Sequence, residues 1–219
     1  MNIVVTGTTG ADVAPDLVNA VIFRDSRWCQ PATADDVERC HSPSAAGLTT
    51  MTYVDSATDP RDGAIVDADV ELNGVDFQIA RDGMSLAAGN CLADLGNTLT
   101  HELGHLLGLD HTCRQFSEPE RVDGNGDPVP LCTDGLPPAI AEATMYYSQT
   151  CGETKKASLE ADDINAMCTI YPLADDPGVC EPATLDVDGG CCQSDRGGAA
   201  GLLPALGVLL GLRRRRRRR

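Results

Sequence analysis

Residues 101 to 111 read His-Glu-Leu-Gly-His-Leu-Leu-Gly-Leu-Asp-His, which is H-E-x-x-H-x-x-G-x-x-H. His101 and His105 are four residues apart, so a helix projects both rings from one face. Two imidazoles on one face suit a zinc ion that takes a third ligand from elsewhere. Gly108 follows three residues later, and a glycine there can take positive φ, end the helix and turn the chain back. His111 is then placed to close the ligand set. Glu102, one residue past His101, sits where a general base can take a proton from a metal-activated water. Five fixed residue types would coincide by chance somewhere in such a chain on the order of once in ten thousand sequences. The chain has four histidines and this segment holds three of them, which scattered packing residues would not do.

The segment matches the long zinc signature of the metzincin metallopeptidases at every fixed position. Ala143-Thr144-Met145-Tyr146-Tyr147, with Met145 lying 34 residues beyond His111, resembles the metzincin Met-turn. There the methionine packs beneath the zinc histidines, so the resemblance gives Met145 that role. Tyr147 stands two residues past Met145, as in astacins and serralysins, whose tyrosine reaches the zinc or steadies the oxyanion. Matrixins carry proline at that position, yet two other stretches look like matrixins. Residues 67 to 73, Asp-Ala-Asp-Val-Glu-Leu-Asn, resemble the strand preceding their zinc helix, and residues 157 to 172 resemble their closing helix. The resemblance covers roughly residues 64 to 172. It implies an α+β fold: a twisted mixed sheet packed on an active-site helix, with a small irregular C-terminal subdomain. It also implies a peptide substrate bound as an added strand along a sheet edge.

Periodicity supplies the remaining elements. Residues 17 to 24 read as a buried strand and 49 to 54 as a second, with a polar loop from Asp25 to Gly47 between them. In residues 64 to 72, Val66, Ala68, Val70 and Leu72 alternate with Asp67, Asp69 and Glu71, which predicts a half-buried strand whose acidic face is solvated, with calcium binding there as the alternative. Asn73-Gly74 marks a turn, and Val75, Phe77 and Ile79 resume the alternation. The active-site helix is expected within 91 to 108, starting near Asp94, its stripe of Leu92, Leu95, Leu99, Leu103 and Leu106 packing on the sheet. The closing helix is expected to start at Ser158 or Leu159, stop at Pro172 and bury Ile164, Met167, Cys168 and Tyr171. Asp123, Asn125 and Asp127 alternate as at the start of a calcium loop, with Asp134 at the closing position, so Ca²⁺ is a candidate second ion. Pro128 stands where such a loop wants glycine, and a Gly-rich surface turn is the competing reading.

Charge and cysteine content narrow the setting. The net charge is -16, but seven of the 17 basic residues are Arg213 to Arg219. The rest carries 10 basic against 33 acidic residues, a balance that excludes phosphate-backbone binding and hence nucleic acid as a partner. Ten cysteines without a C-x-x-C pair point to disulfides in an oxidising compartment. Local bridges Cys29–Cys40, Cys113–Cys132 and Cys151–Cys168 are expected. Met1 to Thr6 lacks the basic-then-apolar order of an export signal, so the expectation is that the natural chain starts upstream.

Three segments follow in order: a catalytic domain over 1 to 173, an Asp-, Pro- and Gly-rich linker over 174 to 190, and a tail over 191 to 219. The tail begins with Cys191 and Cys192, runs uncharged from 197 to 212 and ends in the arginines. As a helix its 16 uncharged residues would span about 24 Å, short of the roughly 30 Å hydrocarbon core. Gly-Cys, a short apolar run and an arginine cluster in that order resemble bacterial C-terminal sorting signals of the MYXO-CTERM type. That implies membrane attachment, cleavage near the cysteines by a sorting protease, and delivery to the envelope, the cell surface or the medium. A monomeric zinc endopeptidase acting on protein or peptide is the leading expectation. A surface binding protein that keeps the zinc fold without turnover is the rival.

Overall fold

The computed structural model describes residues 5–33, 37–81 and 91–172, and they form a mixed α+β structure with few helices. Its centre is β5 (Ile65–Asn73), where apolar and acidic residues alternate. The strand β1 (Val21–Arg24) pairs with it in parallel and β4 (Gly47–Tyr53) antiparallel, in the order β1-β5-β4, so β1 and β4 are the edges of this sheet. Two short strands, β2 (Cys29–Gln30) and β3 (Arg39–Cys40), pair within the loop between β1 and β4. A further parallel pair joins β6 (Phe77–Ala80) to β7 (Cys91–Asp94). Three α-helices follow among the described residues: α1 (Leu95–Leu106), α2 (Pro138–Ala141) and α3 (Ala161–Ile170).

The acidic side of β5 departs from expectation. Asp67, Asp69 and Glu71 are only 3%, 2% and 0% exposed. The segment preceding β1 covers them, and its backbone has no strand of its own to pair with. The N–H groups of Ala14 and Ala20 donate to Asp69 at 3.1 and 2.9 Å, and that of Asp16 to Asp67 at 3.2 Å. Arg24, which also pairs with Asp12, donates to Glu71 at 2.5 Å. The carboxylates thus replace water as acceptors for irregular backbone. Burial raises the pKa of Asp67 and of Asp69, and their mutual repulsion adds to it at Asp67.

The stretch 17–24 is a strand only from Val21 onward, and it is not buried: Val21 and Phe23 are 47% and 50% exposed because β1 is an edge. Val75 lies in the turn, and β6 pairs with β7 rather than with β5. Residues 91 to 94 are strand, so the helix starts at Leu95, where Asp94 caps it by accepting from Asn97 N–H at 2.9 Å. The leucine stripe is not what α1 buries. Leu95, Leu99, Leu103 and Leu106 are half-buried, whereas Asn97, Thr98, His101, Glu102 and Gly104 form the buried face. Those polar groups find hydrogen-bond partners on neighbouring segments, which removes the cost of burying them.

In α3, Glu160 and Asp163 form a capping box, so the helix starts two residues later than Leu159. Ile164 and Tyr171 are exposed, and Ala166, Met167 and Ile170 pack against Leu109 and Met145. Disulfides join Cys29 to Cys40 and Cys113 to Cys132 as expected, but Cys151 bonds Cys91 rather than Cys168. The 60-residue separation of Cys91 and Cys151 hid that pairing, since only folding brings β7 beside residues 150–152. There the Gly152 N–H donates to Leu92 O at 2.8 Å. No helix among the described residues is long and apolar enough to cross a membrane. The linker 174–190, Cys180, Cys191, Cys192, the apolar run 197–212 and the arginines 213–219 lie outside the described residues.

Candidate metal centre

The helix α1 and the turn after it deliver three imidazoles to one point. Gly108 has φ +91°, its N–H donates to His105 O at 2.8 Å, and Leu109 N–H donates to Gly104 O at 2.9 Å. This is a Schellman turn, which satisfies the last helical carbonyls and reverses the chain. It sinks Leu109 against Met145 and returns His111 to the helix.

The ligating atoms of His101, His105 and His111 lie within 4.8 Å of one another, so the triad can hold a metal ion. The Nδ1 of His101 lies 2.7 Å from Thr144 O, and that of His105 lies 2.8 Å from Leu109 O. A carbonyl at Nδ1 requires the proton there and leaves Nε2 as a lone-pair donor. His105 Nε2 stands 3.1 Å from His111 Nε2. Burial, with the neighbouring His105, pushes His101 down to about 2 and His111 down to about 3. These rings are therefore neutral at physiological pH, the state a metal requires. Arg121 steadies the third ligand's loop: it pairs with Asp110 at 2.9 Å and Glu118 at 3.0 Å, and donates to His111 O at 3.1 Å.

Glu102 lies under the edge strand. Its Oε2 accepts from Thr49 Oγ1 at 2.7 Å, and a side chain at Gly47 would put a Cβ only 2.6 Å from Oε1. Burial raises the Glu102 pKa, opposed by His105 and by the Thr49 hydrogen bond. Met145 lies beneath α1, where a Cβ on Gly104 would collide with its Sδ. The Met145 carbonyl accepts from Thr112 N–H at 3.1 Å, just past His111. The Tyr147 ring meets that of His111 edge-on, centroids 6.5 Å apart, and Tyr147 also lines an open cavity of about 320 Å³ with Gln115, Phe116, Ser117 and Cys132. Lys156, buried behind the turn, is pushed down by desolvation to about 8.

The acidic loop shows a different construction. Asp123 Oδ1 accepts from the N–H groups of Asn125 and Asp127 at 2.8 and 2.9 Å, an Asx-type turn on an exposed hairpin. The carboxylates of Asp123, Asp127 and Asp134 do not converge into a cluster of metal-ligand spacing.

Sequence reasoning identified the three histidines, Glu102, Met145 and Tyr147, which the fold brings to one region. It missed Gly47, Thr49, Asn97, Thr144 and Lys156. Their types carry no signature, since each acts through hydrogen bonds, mostly with backbone atoms, or by close approach. In comparisons with known proteins, no family model, no curated protein and no solved structure matches the chain.

Proposed function

We propose that the chain is a zinc-dependent endopeptidase of metzincin-like fold. The observation that carries the reading is the convergence of three imidazoles, two with Nδ1 occupied by a carbonyl, beside the buried carboxylate of Glu102. Zn–N bonds of about 2.0–2.1 Å in a tetrahedral site put ligand nitrogens about 3.3 Å apart. The 3.1 Å between His105 Nε2 and His111 Nε2 fits that ion. His101, His105 and His111 would hold a zinc ion, which would supply Lewis acidity to the site.

The chain's own groups do the rest. Glu102 accepts the water's proton as the peptide carbonyl is attacked and returns it to the departing amine. Its burial, which raises its affinity for a proton, suits both halves of that task. The Tyr147 phenol donates toward the developing oxyanion. Met145 and Gly104 form the floor under the ligands. The strand β4, an edge among the described residues and tied to α1 through Thr49 and Glu102, is where an extended protein or peptide would add as a strand. The three disulfides among the described residues fit an oxidising compartment. The order of Cys191 and Cys192, apolar run and arginines supports attachment to a membrane until a sorting protease releases the protein to the envelope or surface.

The test is cleavage of a mixed peptide library by the full chain and by Glu102→Ala, with bound metal measured on both. Cleavage by the parent alone, with about one zinc per chain in each, is expected. Metal in both and cleavage in neither would leave a binding protein and reject the peptidase.

A further inference from the structure

Lys156 is 2% exposed, and Glu153 and Glu102 attract its ammonium through space. Its hydrogen bonds go instead to backbone. Nζ donates to Tyr146 O and, at 2.8 Å, to Ser148 O. Those carbonyls flank Tyr147 on either side. The lysine is itself fixed from α1, because its N–H donates to Asn97 Oδ1 at 2.7 Å. Asn97 is fully buried and lies four residues before His101, on the same side of the helix. Its Nδ2 donates to Gln149 Oε1 at 2.6 Å, and Gln149 Nε2 donates to Thr98 Oγ1 at 3.2 Å. Residues 146 to 149 are thus gripped from below by one cation and from the side by one helix.

A buried ammonium is expensive, and an apolar side chain of like volume fills the same space without that cost. Packing therefore does not account for a lysine here. Three N–H donors on a flexible stem account for it, because two carbonyls of a tight turn point inward and need donors. We propose that Lys156 is a positioning residue that clamps the backbone on both sides of Tyr147 and so holds the phenol beside His111. The inference rests on the peptidase reading for its catalytic consequence, but the placement of Tyr147 by Lys156 stands apart from it.

A group that positions an oxyanion donor acts in the transition state and little in the ground state. Lys156→Met in the zinc-loaded full chain is expected to lower kcat by about tenfold or more while KM changes less than about twofold. Tyr147→Phe should do the same, and the double variant should be no slower than Tyr147→Phe alone, because both remove one device. An unchanged kcat in Lys156→Met, or losses that multiply in the double variant, overturns the inference. Should the methionine variant fail to fold, Lys156→Gln keeps an N–H donor. It is expected to lose less than Tyr147→Phe and to add nothing to it, and a multiplying loss again overturns the inference. A second readout needs neither metal nor turnover: the nuclear Overhauser contact between the rings of Tyr147 and His111 by NMR. Its loss in the Lys156 variant supports the clamp even if the parent cleaves nothing, which would reject the peptidase reading alone. Its persistence at parental intensity overturns the clamp whatever the activity.

Discussion

Thr49 Oγ1 donates to Glu102 Oε2 at 2.7 Å, tying the edge strand β4 to the residue between the first two histidines of the site. Gly47, two residues earlier on the same face of β4, leaves room for the other carboxylate oxygen. The proposed base is therefore held by a sheet edge as well as by its own helix. Replacing Thr49 by valine keeps the shape and removes the donor from a buried carboxylate, worth about 1.5–3 kcal/mol. The expected outcome is a fall in kcat of about tenfold to a hundredfold with metal content unchanged. Parental kcat in Thr49→Val, measured on a peptide that the parent cleaves, would show that Glu102 needs no such support.

Gly104 and Met145 meet too closely for a side chain between them. Gly104→Ala removes a flexible residue from a helix interior, which by itself favours the variant by about 0.5–1 kcal/mol. The collision with Met145 outweighs that, at about 1–3 kcal/mol. A lower urea midpoint and weaker metal binding are expected together, since His105 follows directly. Gly104→Ala with Met145→Ala should recover part of the stability. A Gly104→Ala chain as stable as the parent contradicts this packing.

The disulfides differ in the length of chain they close. Cys91–Cys151 spans 60 residues and Cys29–Cys40 spans 11. Loop-closure entropy predicts losses of about 4 kcal/mol and about 3 kcal/mol when each pair is replaced by alanine. The first replacement should also loosen residues 150–152 from β7 and raise amide exchange at Gly152, whose N–H bonds Leu92 O. Paired unfolding curves check the order. A greater loss from the Cys29–Cys40 pair would place the rigidifying link in the wrong loop.

Asp67 and Asp69 give stability a pH dependence of defined sign. Burial raises both carboxyl pKa values in the folded chain, and at Asp67 repulsion by Asp69 adds to the effect. A folded pKa above the unfolded one favours folding fully below the unfolded value, near 3.8, and the benefit is lost as pH rises through the folded value. At pH 7 both groups therefore weigh against folding. Asp67→Asn still accepts from Asp16 N–H through its amide oxygen, so the variant is expected to melt higher than the parent at pH 7. The gap should narrow toward pH 4. Scanning calorimetry at both values decides it: a lower melting point at pH 7, or a wider gap at pH 4, would mean that Asp67 is held ionised.

Residue order specifies local geometry. H-E-x-x-H-x-x-G-x-x-H contains its own geometry, because a four-residue spacing and a glycine of positive φ fix two ligands and a reversal within 11 residues. The β5 alternation and the Asp94 cap region were legible for the same reason, since a period or a cap is a property of neighbours in the chain. The remaining features depend on contacts between segments distant in the chain. The acidic face of β5 is buried because an irregular segment more than 40 residues away needed acceptors. Cys151 found Cys91, and α1 buries its polar side because Thr49, Thr144 and Gln149 reach it from other elements. Hydrogen bonds to backbone leave no trace in residue type, and a lysine that holds two carbonyls reads in sequence like any surface lysine.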